Sequence, residues 1–120
     1  MTILISDDSV ILQGRLLQLF EEIEGVEVVG TATNTQEAKI KIDKLQPDFV
    51  ITDIKMPGGG GLELLEYIKA THPNIIVCIF TNYPYVQYEE KAKELGAEYF
   101  FHKTTESDEL YHTITALVSK

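Results

Sequence analysis

Two hydrophobic periods alternate along this chain from end to end. Short apolar runs near 2–6, 26–31, 48–53, 75–80 and 98–102 read as strands, and the segments near 9–24, 35–46, 61–71, 85–95 and 106–118 carry helical spacing. In the first helical segment Leu12, Leu16, Leu19, Phe20 and Ile23 share one face, and Gly25 offers a left-handed residue to end it. Asn34 and Glu37 are spaced as a capping box for the second, Ala38, Ile42 and Leu45 form its expected buried stripe, and Pro47 stops it. Leu62, Leu65 and Ile68 serve the third, Ala92 and Leu95 the fourth before Gly96, and Leu110, Ile114 and Leu117 the fifth, with Thr105 or Ser107 as its expected N-cap.

Five such strand-helix units predict an α/β, doubly wound parallel sheet of flavodoxin type with helices on both faces, because parallel strands need long right-handed crossovers. Ile3-Leu4-Ile5, Phe49-Val50-Ile51 and the run from Ile75 to Phe80 are continuously apolar, as strands covered on both faces should be. Val26 to Thr31 is broken by charge and glycine and suits an edge. These features fit the strand order 2-1-3-4-5.

Composition narrows the function classes. The 120 residues suit one domain, 1–120, with a single core, and 44% hydrophobic with 24% charged residues describes a globular chain. Nineteen acids against ten bases give a formal charge of -9 with no basic cluster, which argues against direct nucleic-acid or anionic-membrane binding. The single cysteine, Cys78, lies in an apolar run, so disulfide frameworks and zinc spacings are excluded. No run reaches the ~20 apolar residues that span a bilayer, and a cytoplasmic location is expected.

Candidate chemistry gathers at the strand ends. In a sheet of this order ligands bind beyond the carboxyl ends of the strands, where strands 1 and 3 meet. The first strand ends in Asp7-Asp8, the third in Asp53, the fourth in Thr81 and the fifth in Lys103. Carboxylates at close range repel by about 4 kcal/mol per pair at an effective dielectric near 20, so they share protons or recruit a cation. Oxygen donors without histidine or cysteine select a hard ion, of which Mg²⁺ is the expected one. Asp53, beside Met56-Pro57 and four glycines expected to let the backbone close on whatever it holds, is the candidate nucleophile for phosphoryl transfer, with Thr81 and Lys103 placed to meet phosphoryl oxygens.

Taken together, the acidic pair, Asp53-Ile54-Lys55-Met56-Pro57 with the later Gly61-Leu62, Thr81, Leu95-Gly96-Ala97 and Lys103 resemble the response-regulator receiver domain of two-component signalling over essentially the whole chain. The resemblance implies a phosphorylation-dependent switch rather than a turnover enzyme. Asp53 would accept a phosphoryl group from a histidine kinase or phosphotransfer protein. Asp8 and Asp53 would bind Mg²⁺ directly, Asp7 through water, and the Lys55 backbone carbonyl would complete the protein ligands. Thr81 and Phe100 would form the switch. A downstream protein partner would read the fourth helix and fifth strand, where Tyr83, Tyr85 and Tyr88 supply aromatic anchors, and a homodimer is compatible with this.

The chain departs from the family pattern at Asn82, where a small residue is usual, at Thr104, where proline is usual, and at Phe100, where tyrosine is common. A stand-alone receiver is the expectation, with the N-terminal receiver of a longer DNA-binding regulator or an unphosphorylated docking module as alternatives. A phosphatase is disfavoured because Lys55 stands where such sites want a second aspartate. A flavin or nucleotide binder is disfavoured because Ser6-Asp7-Asp8-Ser9 is acidic where phosphate needs glycine. His72, His102 and His112 show no ligand spacing and are expected to be structural or solvated.

Overall fold

A computed structural model describes residues 1–83 and 85–119. Strand β1 (Thr2–Ser6) leads into helix α1 (Val10–Glu21), and the alternation continues through β2 (Glu27–Ala32), α2 (Thr35–Leu45), β3 (Phe49–Thr52) and α3 (Gly60–Thr71). It ends with β4 (Ile76–Thr81), α4 (Val86–Glu94), β5 (Tyr99–His102) and α5 (Ser107–Val118). All neighbouring strands pair in parallel in the order β2-β1-β3-β4-β5, as the pattern predicts.

Strand alternation divides the core in two. Leu4, Val50, Val77 and Ile79 point to the face covered by α2, α3 and α4, where they meet Ile42, Leu64, Leu65, Ile68 and Ala92. Ile3, Ile5, Phe49, Ile51, Cys78 and Phe80 point to the other face and meet Leu16 and Phe20 of α1 and Leu110 and Ile114 of α5. Burial on both faces is why the central strands read as unbroken apolar runs. Full burial also pushes the Cys78 thiol pKa up, leaving it a small hydrophobe. No helix among the described residues is long and apolar enough to cross a membrane.

Local details depart from the pattern in several places. Helix α1 stops at Glu21, so Ile23 is buried from the following turn rather than from the helix, while Gly25 takes its left-handed φ of 90° beyond it. The Asn34 side chain accepts from the Glu37 N–H at 2.8 Å as expected, but Glu37 reaches back to the Thr33 N–H, one residue earlier than a capping box requires. Leu45 stays 40% exposed, its methyl lying against Gly30 of the edge strand instead of entering the core. The N-cap of α5 is Glu106, not Thr105 or Ser107, and the Glu106 carboxylate accepts instead from the His102 N–H at 2.9 Å. Helix α2 closes on Gln46 in the left-handed region, φ 45°, where the following proline disfavours continued helix.

Candidate functional site

The carboxyl ends of β1, β3, β4 and β5 bring the polar residues together. Asp7 follows β1 and its N–H donates to Ala32 at the end of β2 (2.9 Å). Asp53 follows β3, its N–H donating to Ser6 (3.1 Å), and the Lys103 N–H donates to Thr81 (3.0 Å). These backbone bonds extend each ladder one residue past its strand, which sets the side chains that follow in register across the sheet.

One ammonium ties two of the acids. Lys103 Nζ lies 2.7 Å from Asp7 Oδ2 and 2.7 Å from Asp53 Oδ2. Each carboxylate's other oxygen accepts a backbone N–H, Ser9 to Asp7 at 2.8 Å and Ile54 to Asp53 at 2.7 Å. Asp7 and Asp53 are only 3% and 5% exposed, whereas Asp8 faces solvent. An oxygen from each of the three acids falls within 4.8 Å of the others.

Burial pushes the Asp7 carboxyl above its usual range, and the nearby Asp53 charge adds to that push, against the opposing pull of Lys103 and the Ser9 N–H. Burial also works against the Lys103 ammonium, but its hydrogen bonds to Asp53 and Asp7 and their charges outweigh it, so its pKa is raised. Three carboxylates against one ammonium formally leave two negative charges at a site where Asp7 and Asp53 are buried and Asp8 is exposed. A divalent hard cation fits that deficit and that all-oxygen donor set, and the exposed Asp8 leaves a side open to water.

Neither acid after β1 caps the helix that follows. Ser9 caps α1, its hydroxyl accepting the Leu12 N–H at 3.2 Å, so Asp7 and Asp8 are free of that task. Thr81 is fully buried at the end of β4, and its hydroxyl oxygen accepts the Tyr83 N–H at 3.1 Å. Asn82 is exposed at the turn that follows. Lys55 is also exposed, its ammonium 5.5 Å from the ring centres of both Tyr83 and Tyr88. Phe100 is partly buried on the α4 face of β5, in line with Ile79 of β4.

Gly58, Gly59 and Gly60 all take positive φ, and a Cβ on Gly60 would stand 2.7 Å from the Ile54 carbonyl, while one on Gly61 would collide with that of Asp53. At Gly60 and Gly61 the missing side chain lets the loop fold back onto the end of β3. Met56 plugs the middle of that loop, where its sulfur accepts the Ser6 hydroxyl at 3.0 Å.

Two buried polar residues beside the site escape the strand-end reading. Gln13 Nε2 donates to the backbone carbonyls of Asp7 (2.7 Å) and Ala32 (3.0 Å). The Thr35 hydroxyl accepts the Gly60 N–H (2.9 Å), and its own N–H donates to Pro57 (3.0 Å). Both occupy the first place of an i, i+3, i+7 stripe, Gln13 with Leu16 and Phe20 and Thr35 with Ala38 and Ile42, so a polar residue on an apolar stripe was the available signal.

Of the histidines, His72 has a partner, its Nε2 lying 2.8 Å from Asp43 Oδ1. His102 Nδ1 lies 3.0 Å from the hydroxyls of Thr104 and Thr105.

Known proteins are similar to this chain in sequence and fold. The transcriptional regulatory protein DesR of Bacillus subtilis is 36% identical over 118 residues, covering 98% of this chain and 58% of DesR. The isolated REC domain of RcsB from Salmonella enterica serovar Typhimurium, solved with the phosphomimetic BeF3-, superposes with a TM-score of 0.92 at 28% identity, covering 99% of this chain and 88% of that one. A CheX-CheY-BeF3-Mg+2 complex from Borrelia burgdorferi gives a TM-score of 0.90 at 28% identity over 100% of this chain and 90% of its match. The chain spans 32%, 54% and 58% of the length of three curated Bacillus subtilis relatives, about half on the whole. The family model for the response regulator receiver domain matches residues 3–115, and the chain belongs to that family.

Proposed function

We propose that this domain is a phosphorylation switch in which Asp53 accepts a phosphoryl group from a histidine kinase or phosphotransfer protein. The observation that carries this reading is the Lys103 ammonium bridging Asp7 and Asp53 at 2.7 Å each, with Asp8 alongside and two negative charges left over. Asp8, Asp53 and the Lys55 backbone carbonyl would hold Mg²⁺, with Asp7 acting through water. Bound there, the ion supplies positive charge that offsets carboxylate repulsion and favours phosphoryl oxygens.

The residues of the chain carry the rest. A carboxylate oxygen of Asp53 attacks phosphorus as the donor's N–P bond breaks, and the released imidazole takes a proton. Lys103 neutralises an equatorial oxygen and Thr81 donates its hydroxyl to another. A carboxylate nucleophile has no proton to lose on attack, so no general base is needed. Movement of Thr81 towards the phosphoryl group would free space for Phe100 to turn inward, and Phe100 has no hydroxyl, so the change would rest on packing alone. The altered surface is that of α4 and β5, where a protein partner would read Tyr83, Tyr85 and Tyr88.

Residues 1–120 act as one receiver unit on this reading, without multiple turnover of external substrate. A longer DNA-binding regulator is the second reading, favoured by the share of its transcriptional-regulator relatives that the chain spans. Incubation with acetyl phosphate and Mg²⁺ tests the central step. One phosphoryl mass should appear on the protein and be absent from Asp53→Asn. An adduct that persists in that variant overturns the assignment.

A further inference from the structure

We infer that Thr35 is a positioning residue for the acidic pocket, holding the loop after Asp53 in the shape that binds a divalent cation. The inference rests on the Mg²⁺ reading above. Thr35 lies in the first turn of α2 and is fully buried. Its hydroxyl accepts the Gly60 N–H at 2.9 Å and donates to the Gly60 carbonyl at 3.3 Å, so one side chain satisfies both backbone groups of one glycine. Its own N–H donates to Pro57 at 3.0 Å.

The loop between Asp53 and α3 is therefore fixed at three points. At its base the Gly61 N–H donates to Ile54 at 2.8 Å, at its middle Met56 meets Ser6, and at its far end stands Thr35. The first two anchors belong to the sheet and to the loop's own glycines. Thr35 alone of these anchors comes from α2. Three consecutive glycines with positive φ have little conformational preference of their own, so an external hydrogen-bond partner decides which of their shapes persists. The loop carries Lys55, whose carbonyl is the proposed backbone ligand. Groups that orient metal ligands without touching the metal commonly change affinity by about 10- to 100-fold when removed.

Thr35→Val keeps the shape of the side chain and removes the hydroxyl, while Thr35→Ser keeps the hydroxyl. Mg²⁺ titration followed by amide chemical shifts of Asp53 and Gly60 gives a dissociation constant for each protein, with thermal melting in EDTA as the measure of folding. The expected result is Mg²⁺ binding weakened about tenfold or more in Thr35→Val and restored in Thr35→Ser. A melting loss in Thr35→Val with unchanged Mg²⁺ affinity makes Thr35 structural only and overturns the inference. Should Thr35→Val fail to fold, the wild-type Gly60 amide decides, since it must shift on Mg²⁺ addition with the same dissociation constant as Asp53. A wild-type protein that binds no Mg²⁺ sinks the pocket reading itself, which is a different failure.

Discussion

Three helices cover the same face of the sheet, yet α2 and α3 are bound to each other in a way that α4 is to neither. Along the α2–α3 seam Thr35 holds Gly60, Lys39 pairs with Glu63 at 3.1 Å and lies 5.1 Å from the Tyr67 ring centre, and Asp43 accepts from the Tyr67 hydroxyl at 2.6 Å and pairs with His72. Helix α4 buries only Ala92 fully, has no side-chain N-cap bond, and carries Tyr85 and Val86 exposed at its start. A polar link between it and the loop after Asp53 runs through Lys55, whose ammonium lies near the rings of Tyr83 and Tyr88. Both regions border one pocket, so the difference lies in how many contacts must break before each can move. Segments with few buried contacts open at low cost, and a switch draws its moving part from them.

The largest expected effect tests that asymmetry in stability. Leu65→Ala, in the fully buried part of α3, should cost about 2–5 kcal/mol in urea unfolding. Val86→Ala, 64% exposed on α4, should stay within about 0.5 kcal/mol. Comparable losses at both positions would mean that α4 is held as firmly as α3.

The pocket between the two regions gives the next test. Because burial raises the Asp7 carboxyl pKa in the folded protein, metal-free stability falls as pH rises from its ordinary unfolded value through its raised folded value. Lys103 has the opposite consequence: its raised pKa contributes stability throughout that window, lost only as pH rises past its own folded value. Asp7→Asn should remove the Asp7 penalty and raise stability at pH 7 in EDTA by on the order of 1 kcal/mol, with the gain shrinking as the solution is acidified. A gain that does not depend on pH would point to packing rather than charge. Local exchange of α4 amides should stay unchanged, since α4 opens without unfolding the pocket.

Lys55→Ala addresses the tie itself. Removing the ammonium from between Tyr83 and Tyr88 should speed amide exchange in the first turn of α4 severalfold and leave α2 and α3 unaffected. Equal acceleration in both regions would show that the loop, not the tie, governs α4.

The parts of this asymmetry that sequence reading could reach are instructive. Strand order, the two-sided core and the meeting of Asp7, Asp8, Asp53 and Lys103 all follow from period and position, because burial on both faces and strand-end placement leave direct marks on residue type. The α2–α3 seam leaves none. Asp43 on α2, Tyr67 on α3 and His72 at the C-cap of α3 could each meet many partners by spacing, and only the packing of two helices selects these. Leu45 and the cap of α5 misled for a related reason: periodicity marks which side of a helix faces inward, but not where the neighbouring strand ends or which carboxylate turns back to a strand amide. The glycine run predicts a close backbone approach, and the carbonyls of Asp53 and Ile54 show that one partner in it is the chain itself.

The smallest expected effect concerns the outer end of the seam. Hydrogen bonds from Tyr67 and then His72, with the charge of His72, hold the Asp43 carboxyl below its usual range, but the group is solvent-exposed and screening discounts the gain. Asp43→Ala should therefore cost no more than about 0.5 kcal/mol at pH 7. A carboxyl with a lowered folded pKa contributes stability above its unfolded value and loses it as pH falls through the folded one. The difference between wild type and Asp43→Ala in urea unfolding should accordingly shrink through the ordinary carboxylate range and vanish below it. If the cost at pH 7 instead matches that of Leu65→Ala, the seam is held by its polar links rather than by the apolar layer beneath them, and the contrast with α4 has to be rebuilt on hydrogen bonding.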